Sequence, residues 1–211
     1  MNEESPAPVD SGKRNINCYS GGEGGFMDWN QNLRGRMLEP LLIKMAGVGM
    51  RGSHVTFLSM LAGLLYCPFF LMDQKVTAFV MLLLHVLLDG LDGPLARFRG
   101  QASDRGSFTD TMADQVVVTA TALTMMHDGA ASAWAGGSYV FLYAIVVAFA
   151  FARNAMAAPY SWLFRPRFLV FIWFAVDASV LPGSLDVVLW ISSGILGLKC
   201  LSGFVKIRNR I

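Results

Sequence analysis

Charge is scarce in this sequence. Of 211 residues only 15% are charged, 54% are hydrophobic, and the mean hydropathy is +0.47. An average soluble domain is about one quarter charged. The deficit excludes an ordinary soluble globule. It also excludes disorder over most of the length, because disordered chains are polar and charged. Cysteine is scarce too. Cys18, Cys67 and Cys200 are odd in number, far apart and without a CxxC spacing. That pattern supports neither a disulfide framework nor a zinc site. Cys67 and Cys200 lie in apolar runs and read as small buried fillers. The first 25 residues have no apolar run and end in GGEGG (21–25). A cleaved signal peptide needs such a run, so residues 1–25 read as a flexible cytoplasmic tail. No repeat, low-complexity tract or second domain is visible, and residues 26–211 read as one membrane domain.

What is present is apolar. Over residues 26–46, Trp29, Leu33, Met37, Leu41 and Met45 recur every fourth residue, with Arg34, Arg36, Glu39 and Lys44 between them. This predicts an amphipathic helix lying in a membrane interface; a soluble helix packed on a partner is the other reading. Six apolar stretches follow, at about 54–72, 76–98, 107–126, 134–157, 168–182 and 185–205. A spanning helix needs about 20 apolar residues. The expected fold is therefore all-α, a bundle of six transmembrane helices behind the interfacial helix. Small residues at Ser193 and Gly197 suit packing of a helix or a homodimer.

The few charges are sorted. If the six stretches all span, sixteen of the seventeen basic residues fall on one side and only Lys75 on the other. The positive-inside rule then puts both termini in the cytoplasm, and the protein in the cytoplasmic membrane. No nucleic-acid partner is expected. The acids are the exception to the apolar pattern. Asp89, Asp92, Asp110 and Asp114 fall inside segments read as spanning, where each costs several kcal/mol and marks a functional site by default. Asp89 and Asp92 are i, i+3, and Asp110 and Asp114 are i, i+4, so each pair shares a helix face. A short loop joins the two helices, which predicts antiparallel neighbours. A rise of about 1.5 Å per residue places all four carboxylates about 12 Å from the cytoplasmic helix ends.

Four clustered carboxylates repel unless cations hold them. Hard oxygen ligands suit Mg²⁺, Mn²⁺ or Ca²⁺, and a shared set suits a two-metal centre acting on phosphoryl groups. Gly90, Gly93, Ala96 and Gly106 leave room for a ligand or for close helix approach. Arg97 supplies a cation suited to a diphosphate.

The pattern Asp89-x2-Asp92-Gly93-x2-Ala96-Arg97-x8-Gly106-x3-Asp110-x3-Asp114 resembles, position for position, the signature of the CDP-alcohol phosphatidyltransferases. Pro40, Gly47-Val48 and Val55-Thr56 extend the likeness upstream. Gly52-Ser53 stands where that family usually has Pro-Asn before x-x-Thr. Beyond residue 126 the likeness is topological. The resemblance implies transfer of a phosphatidyl or related group from CDP-diacylglycerol or another CDP-alcohol to an alcohol acceptor, with release of CMP. It implies Mg²⁺ or Mn²⁺, as two ions, on Asp89, Asp92, Asp110 and Asp114, with Asp114 also the general base. It implies a CDP pocket lined by Ser53, Thr56, Gly93, Ala96, Arg97, Ser103 and Gly106.

Arg153, Arg165 and Arg167 are candidate contacts for an acceptor phosphate, such as glycerol 3-phosphate or inositol phosphate; ordinary positive-inside residues are the plainer reading. His85, in the middle of an apolar run, reads as a satisfied core histidine. Two rival functions are a cation transporter using intramembrane carboxylates and a non-catalytic scaffold. The first leaves Arg97 and the glycine spacing unexplained; the intact set of four aspartates argues against the second.

Overall fold

The computed structural model describes residues 38–156, 160 and 166–210. The tail expected over 1–25, most of the helix expected over 26–46, and Arg165 lie outside the described residues. Within them the chain is all helical, with seven helices and no strand. They are α1 (38–47), α2 (Gly52–Leu71), α3 (Lys75–Phe98), α4 (Asp104–His127), α5 (Ala133–Ala155), α6 (Arg167–Ser179) and α7 (Leu185–Arg208). The last six fall where the six apolar stretches lie.

Four of them, α2, α3, α5 and α7, are long and apolar enough to cross a membrane. The other two fall short for different reasons. α4 interrupts its apolar run with Asp104, Arg105, Asp110 and Asp114. α6 has 13 residues, which at about 1.5 Å each is roughly 20 Å, against a hydrocarbon core of about 30 Å. Exposed Leu61, Leu83, Leu87, Ile191, Leu198 and Leu201 give the spanning helices an apolar exterior, as lipid contact requires.

The packing order differs from the expected one. α3 and α4 are joined by a short loop but pack weakly together along their lengths. α2 lies against both of them, and it is the partner each contacts most. α5 packs on α7 and α4, while α6 touches α7 and α3. Ser193 is buried, and Gly197 faces Leu142 of α5. These small residues therefore pack a helix inside the chain and give no ground for a dimer.

Gly63 shows why α2 can approach both neighbours. A Cβ built on it would lie 2.5 Å from Val117 Cγ1 of α4 and 3.2 Å from the His85 ring of α3. His85 is buried and bonded to Ser59 of α2, with Nδ1 2.9 Å from the hydroxyl. Gly63→Val is expected to destabilise the fold by about 1–3 kcal/mol through overpacking, read as a lowered midpoint in thermal unfolding. Val117→Ala should restore part of the loss; no loss in the single variant would contradict this packing.

α1 turns Leu38, Leu42, Met45 and Ala46 inward, onto Val55 of α2 and Leu95 of α3. Leu41, expected on the apolar stripe, is 42% exposed. The reason is geometric: four residues turn a helix by about 400°, so a strict every-fourth row drifts off the buried face. The Arg99 guanidinium fastens the end of α1 by donating to the carbonyls of Ala46 (3.3 Å) and Met50 (2.9 Å).

Candidate functional site

The site is built where α3 ends and α4 begins. α3 stops in a Schellman turn: Gly100 has φ +64°, its N–H donates to Arg97 O, and Gln101 N–H donates to Ala96 O. Glycine takes that left-handed conformation without steric cost. Ser103 then caps α4, its hydroxyl accepting from Gly106 N at 3.1 Å. Asp104 in the first turn complements the helix dipole. This tight reversal returns the chain so that Asp110 faces the two aspartates of α3.

Oxygens of Asp89, Asp92 and Asp110 lie within 4.8 Å of one another. Asp92 is 6% exposed. Thr56 of α2 donates to its Oδ2 at 2.7 Å, and Gly93 N–H donates to its Oδ1 at 2.5 Å. Thr56 reaches it because Gly52 brings the start of α2 against α3: a Cβ there would lie 3.0 Å from both Asp92 O and Ala96 Cβ. Three hard oxygen donors converging from two helices fit a divalent cation such as Mg²⁺ or Mn²⁺.

Asp114 stands apart from that triad. It is 4% exposed and pairs with the Nη1 end of Arg167, whose Nη2 donates to Asp89 Oδ2 at 2.6 Å. Arg167, itself 4% exposed, opens α6 and reaches across to both α3 and α4. Asp89 thus belongs to the triad and to the pair with Arg167.

Beside the triad lies a cavity of about 530 Å³. Its walls include Ser53, Thr56, Gly93, Ala96, Arg97, Ser103 and Gly106, all seven residues of the expected CDP pocket, with Asp92 and Asp110 at one end. Ser53 sits in the first turn of α2. The Arg97 guanidinium folds over Gly93, with Nη1 3.4 Å from where a Cβ would be. Arg51, Gln101 and Arg105 also line the cavity; of these only Arg105 carried a signal in the sequence, its place beside the motif glycine Gly106. Arg153 is buried elsewhere, with its guanidinium 3.8 Å from the centre of the Tyr160 ring. The structure therefore brings Arg167 to the aspartates and Arg153 to Tyr160.

Spanning helices, an acidic cluster and an adjoining polar cavity with arginines define a membrane-embedded site suited to a cation and a phosphate ester. The chain matches the family model described as CDP-alcohol phosphatidyltransferase over residues 52–198, and it belongs to that family. It is 36% identical over 106 residues, 49% of this chain, to the protein named CDP-diacylglycerol--serine O-phosphatidyltransferase in both Mycobacterium tuberculosis and Mycobacterium bovis. It is 37% identical over 81 residues, 36% of this chain, to the inner membrane protein YnjF of Escherichia coli. The match spans 37% of the length of the mycobacterial relatives and 39% of YnjF. No solved structure matches the chain.

Proposed function

We propose that this protein transfers a phosphatidyl group from CDP-diacylglycerol, or a similar CDP-linked lipid, to an alcohol, releasing CMP. The observation that carries the reading is the junction of the carboxylate triad with a cavity lined by every residue of the expected nucleotide pocket. Asp89, Asp92 and Asp110 would hold one divalent ion, and Asp114 with Asp89 a second. Such ions neutralise the diphosphate and the charge that develops on departing CMP.

The chain's own residues do the rest. Gly93 and Ala96 keep the cavity wall low, so the nucleotide can lie against α3. Arg97 offers a fixed cation to the diphosphate. Thr56 holds Asp92 in one orientation. Asp114 takes the proton of the acceptor hydroxyl, a weak nucleophile that needs a base within hydrogen-bond reach. The hydroxyl oxygen then bonds to the lipid-bearing phosphorus, and the phosphorus–oxygen bond to CMP breaks.

The basic residues favour an acceptor carrying an anionic group. The names of the mycobacterial relatives make serine the first to test, with glycerol 3-phosphate and inositol phosphate beside it. Arg153, Arg165 and Arg167 are the proposed acceptor-side contacts, and Arg167, which lies against Asp89 and Asp114, is the first of them to test. The charge pattern supports a site facing the cytoplasm, with both termini on that side.

The test is CMP release by the purified chain given CDP-diacylglycerol, Mg²⁺ or Mn²⁺, and each acceptor in turn, with the lipid product identified by mass. A phosphatidyl-acceptor product that disappears with EDTA is expected. Cation flux through proteoliposomes without CMP would favour the transporter reading instead.

A further inference from the structure

We propose that Arg99 is a positioning residue for the nucleotide end of the donor. It ties together the two loops that wall the cavity, and so holds the cavity in the shape that takes a cytidine diphosphate, without touching that ligand. This inference rests on the reading of the cavity as a CDP pocket.

Two arginines stand at the end of α3, and they are used differently. Two residues turn a helix by about 200°, so Arg97 and Arg99 leave it on opposite sides. Arg97 is exposed and lines the cavity. Arg99 is half-buried and lines no part of it. Its Nη1 instead donates to Ala46 O at 3.3 Å and to Met50 O at 2.9 Å. Those carbonyls bracket a tight turn: Gly49 has φ +77°, its N–H donates to Ala46 O, and Met50 N–H donates to Met45 O. The carbonyl ends of α1 and α3 both carry partial negative charge, and one guanidinium serves the two.

The consequence lies in what each loop carries next. One continues from Met50 into Arg51, Gly52 and Ser53. The other continues from Arg99 through Gly100 into Gln101, Ala102 and Ser103. All six of those residues line the cavity. The Met50 side chain packs with Leu42, Val55 and Leu95, but apolar contact is non-directional and leaves the loops free to slide. Charge-assisted hydrogen bonds are directional and fix their register.

A ligand binds only the molecules whose site is already formed, and its apparent dissociation constant rises as that fraction falls. Cutting the tie lets the loops part. A formed fraction of about one tenth weakens CDP binding about 10-fold. Asp92 lies seven residues before Arg99, about 10 Å further along α3, so the aspartates keep their places. Such a change raises KM with kcat kept, the mark of lost binding and not of lost chemistry.

The experiment compares the wild-type chain, Arg99→Gln and Arg99→Lys, each full length in detergent with Mg²⁺. CDP affinity comes from titration calorimetry. KM for CDP-diacylglycerol and kcat come from CMP release with serine, glycerol 3-phosphate and inositol phosphate supplied together. Loop motion comes from amide hydrogen exchange. Arg99→Gln is expected to weaken CDP binding and raise KM by roughly 10-fold, with kcat near the wild-type value. Exchange should quicken over residues 47–53 and 100–103 and stay unchanged in α5 and α7. Arg99→Lys keeps a cation for the two carbonyls but lacks the planar fork, so it should lose about 3-fold. It also keeps the test open if the glutamine variant fails to fold.

Unchanged CDP affinity in the variants, even with a lowered unfolding midpoint, would overturn the role given to Arg99. So would weaker CDP binding with unchanged exchange in both loops, because Arg99 would then act on the ligand itself. A fall in kcat at constant KM would overturn it as well. The transferase reading survives each of these results. A wild-type chain that binds CDP but releases no CMP would reject the transfer reaction alone, and the CDP titration still decides for Arg99. A wild-type chain that does neither would overturn the CDP pocket and this inference with it.

Discussion

Asp114→Asn is expected to lower CMP release by roughly 10²–10⁴-fold, the range that a positioned general base contributes. Asparagine keeps the size and shape of the side chain but removes the proton acceptor. The triad of Asp89, Asp92 and Asp110 does not include this residue, so CDP and the Mn²⁺ ion of the triad should still bind the variant. That combination separates a chemical role from a structural one. Full turnover in the variant would sink the base assignment, and loss of CDP binding would mean that Asp114 shapes the pocket instead. The measurement is single-turnover CMP release beside a CDP titration.

Asp92→Asn should give the opposite pattern. Asp92 stands in the triad and also lines the cavity. Losing its charge weakens the cation site itself. Electrostatic stabilisation of a transferring phosphoryl group is usually the largest single contribution to catalysis. Turnover is expected to fall by roughly 10³-fold, equivalent to about 4 kcal/mol. Unlike Asp114→Asn, this variant should bind Mn²⁺ poorly. The amide oxygen can still accept from Thr56, which keeps the α2–α3 contact, while its NH2 replaces the oxygen that accepts from Gly93 N–H; the unfolding midpoint should therefore fall only modestly. Unaltered Mn²⁺ affinity would remove Asp92 from the metal set.

Much of this site was legible in the sequence because its parts are local. Asp89 to Asp114 span one helix end, one loop and one helix start, and helical periodicity alone puts each pair on one face. The Ser103 cap and the glycine after α3 are short-range signals as well. What was not legible depends on tertiary packing. A short connection between α3 and α4 predicted direct neighbours, yet α2 packs on both. The space left beside the carboxylates became the cavity. The Thr56–Asp92 hydrogen bond joins residues 36 apart, and the Arg167–Asp89 bond joins residues 78 apart. Periodicity carries no information at those separations. Arg167 did carry a faint local signal, a basic residue placed just after Pro166 at the start of a helix, where the dipole disfavours it. The shortness of α6 is visible in the sequence as a brief apolar run; its exact end is not, because the run continues through Val180 and Leu181, beyond the helix end at Ser179.

The pairing of Arg167 with Asp114 has a consequence in time. The ribosome adds Arg167 53 positions after Asp114. At about 5–20 residues per second, the growing chain carries its four aspartates for roughly 3–10 s before their arginine partner exists. Both aspartate-bearing helices are complete by then, and charged side chains resist entering lipid. Until then α3 and α4 carry their acids toward the membrane with no counter-charge from α6. The order of synthesis thus leaves the acidic cluster without its α6 partner for the whole of that interval.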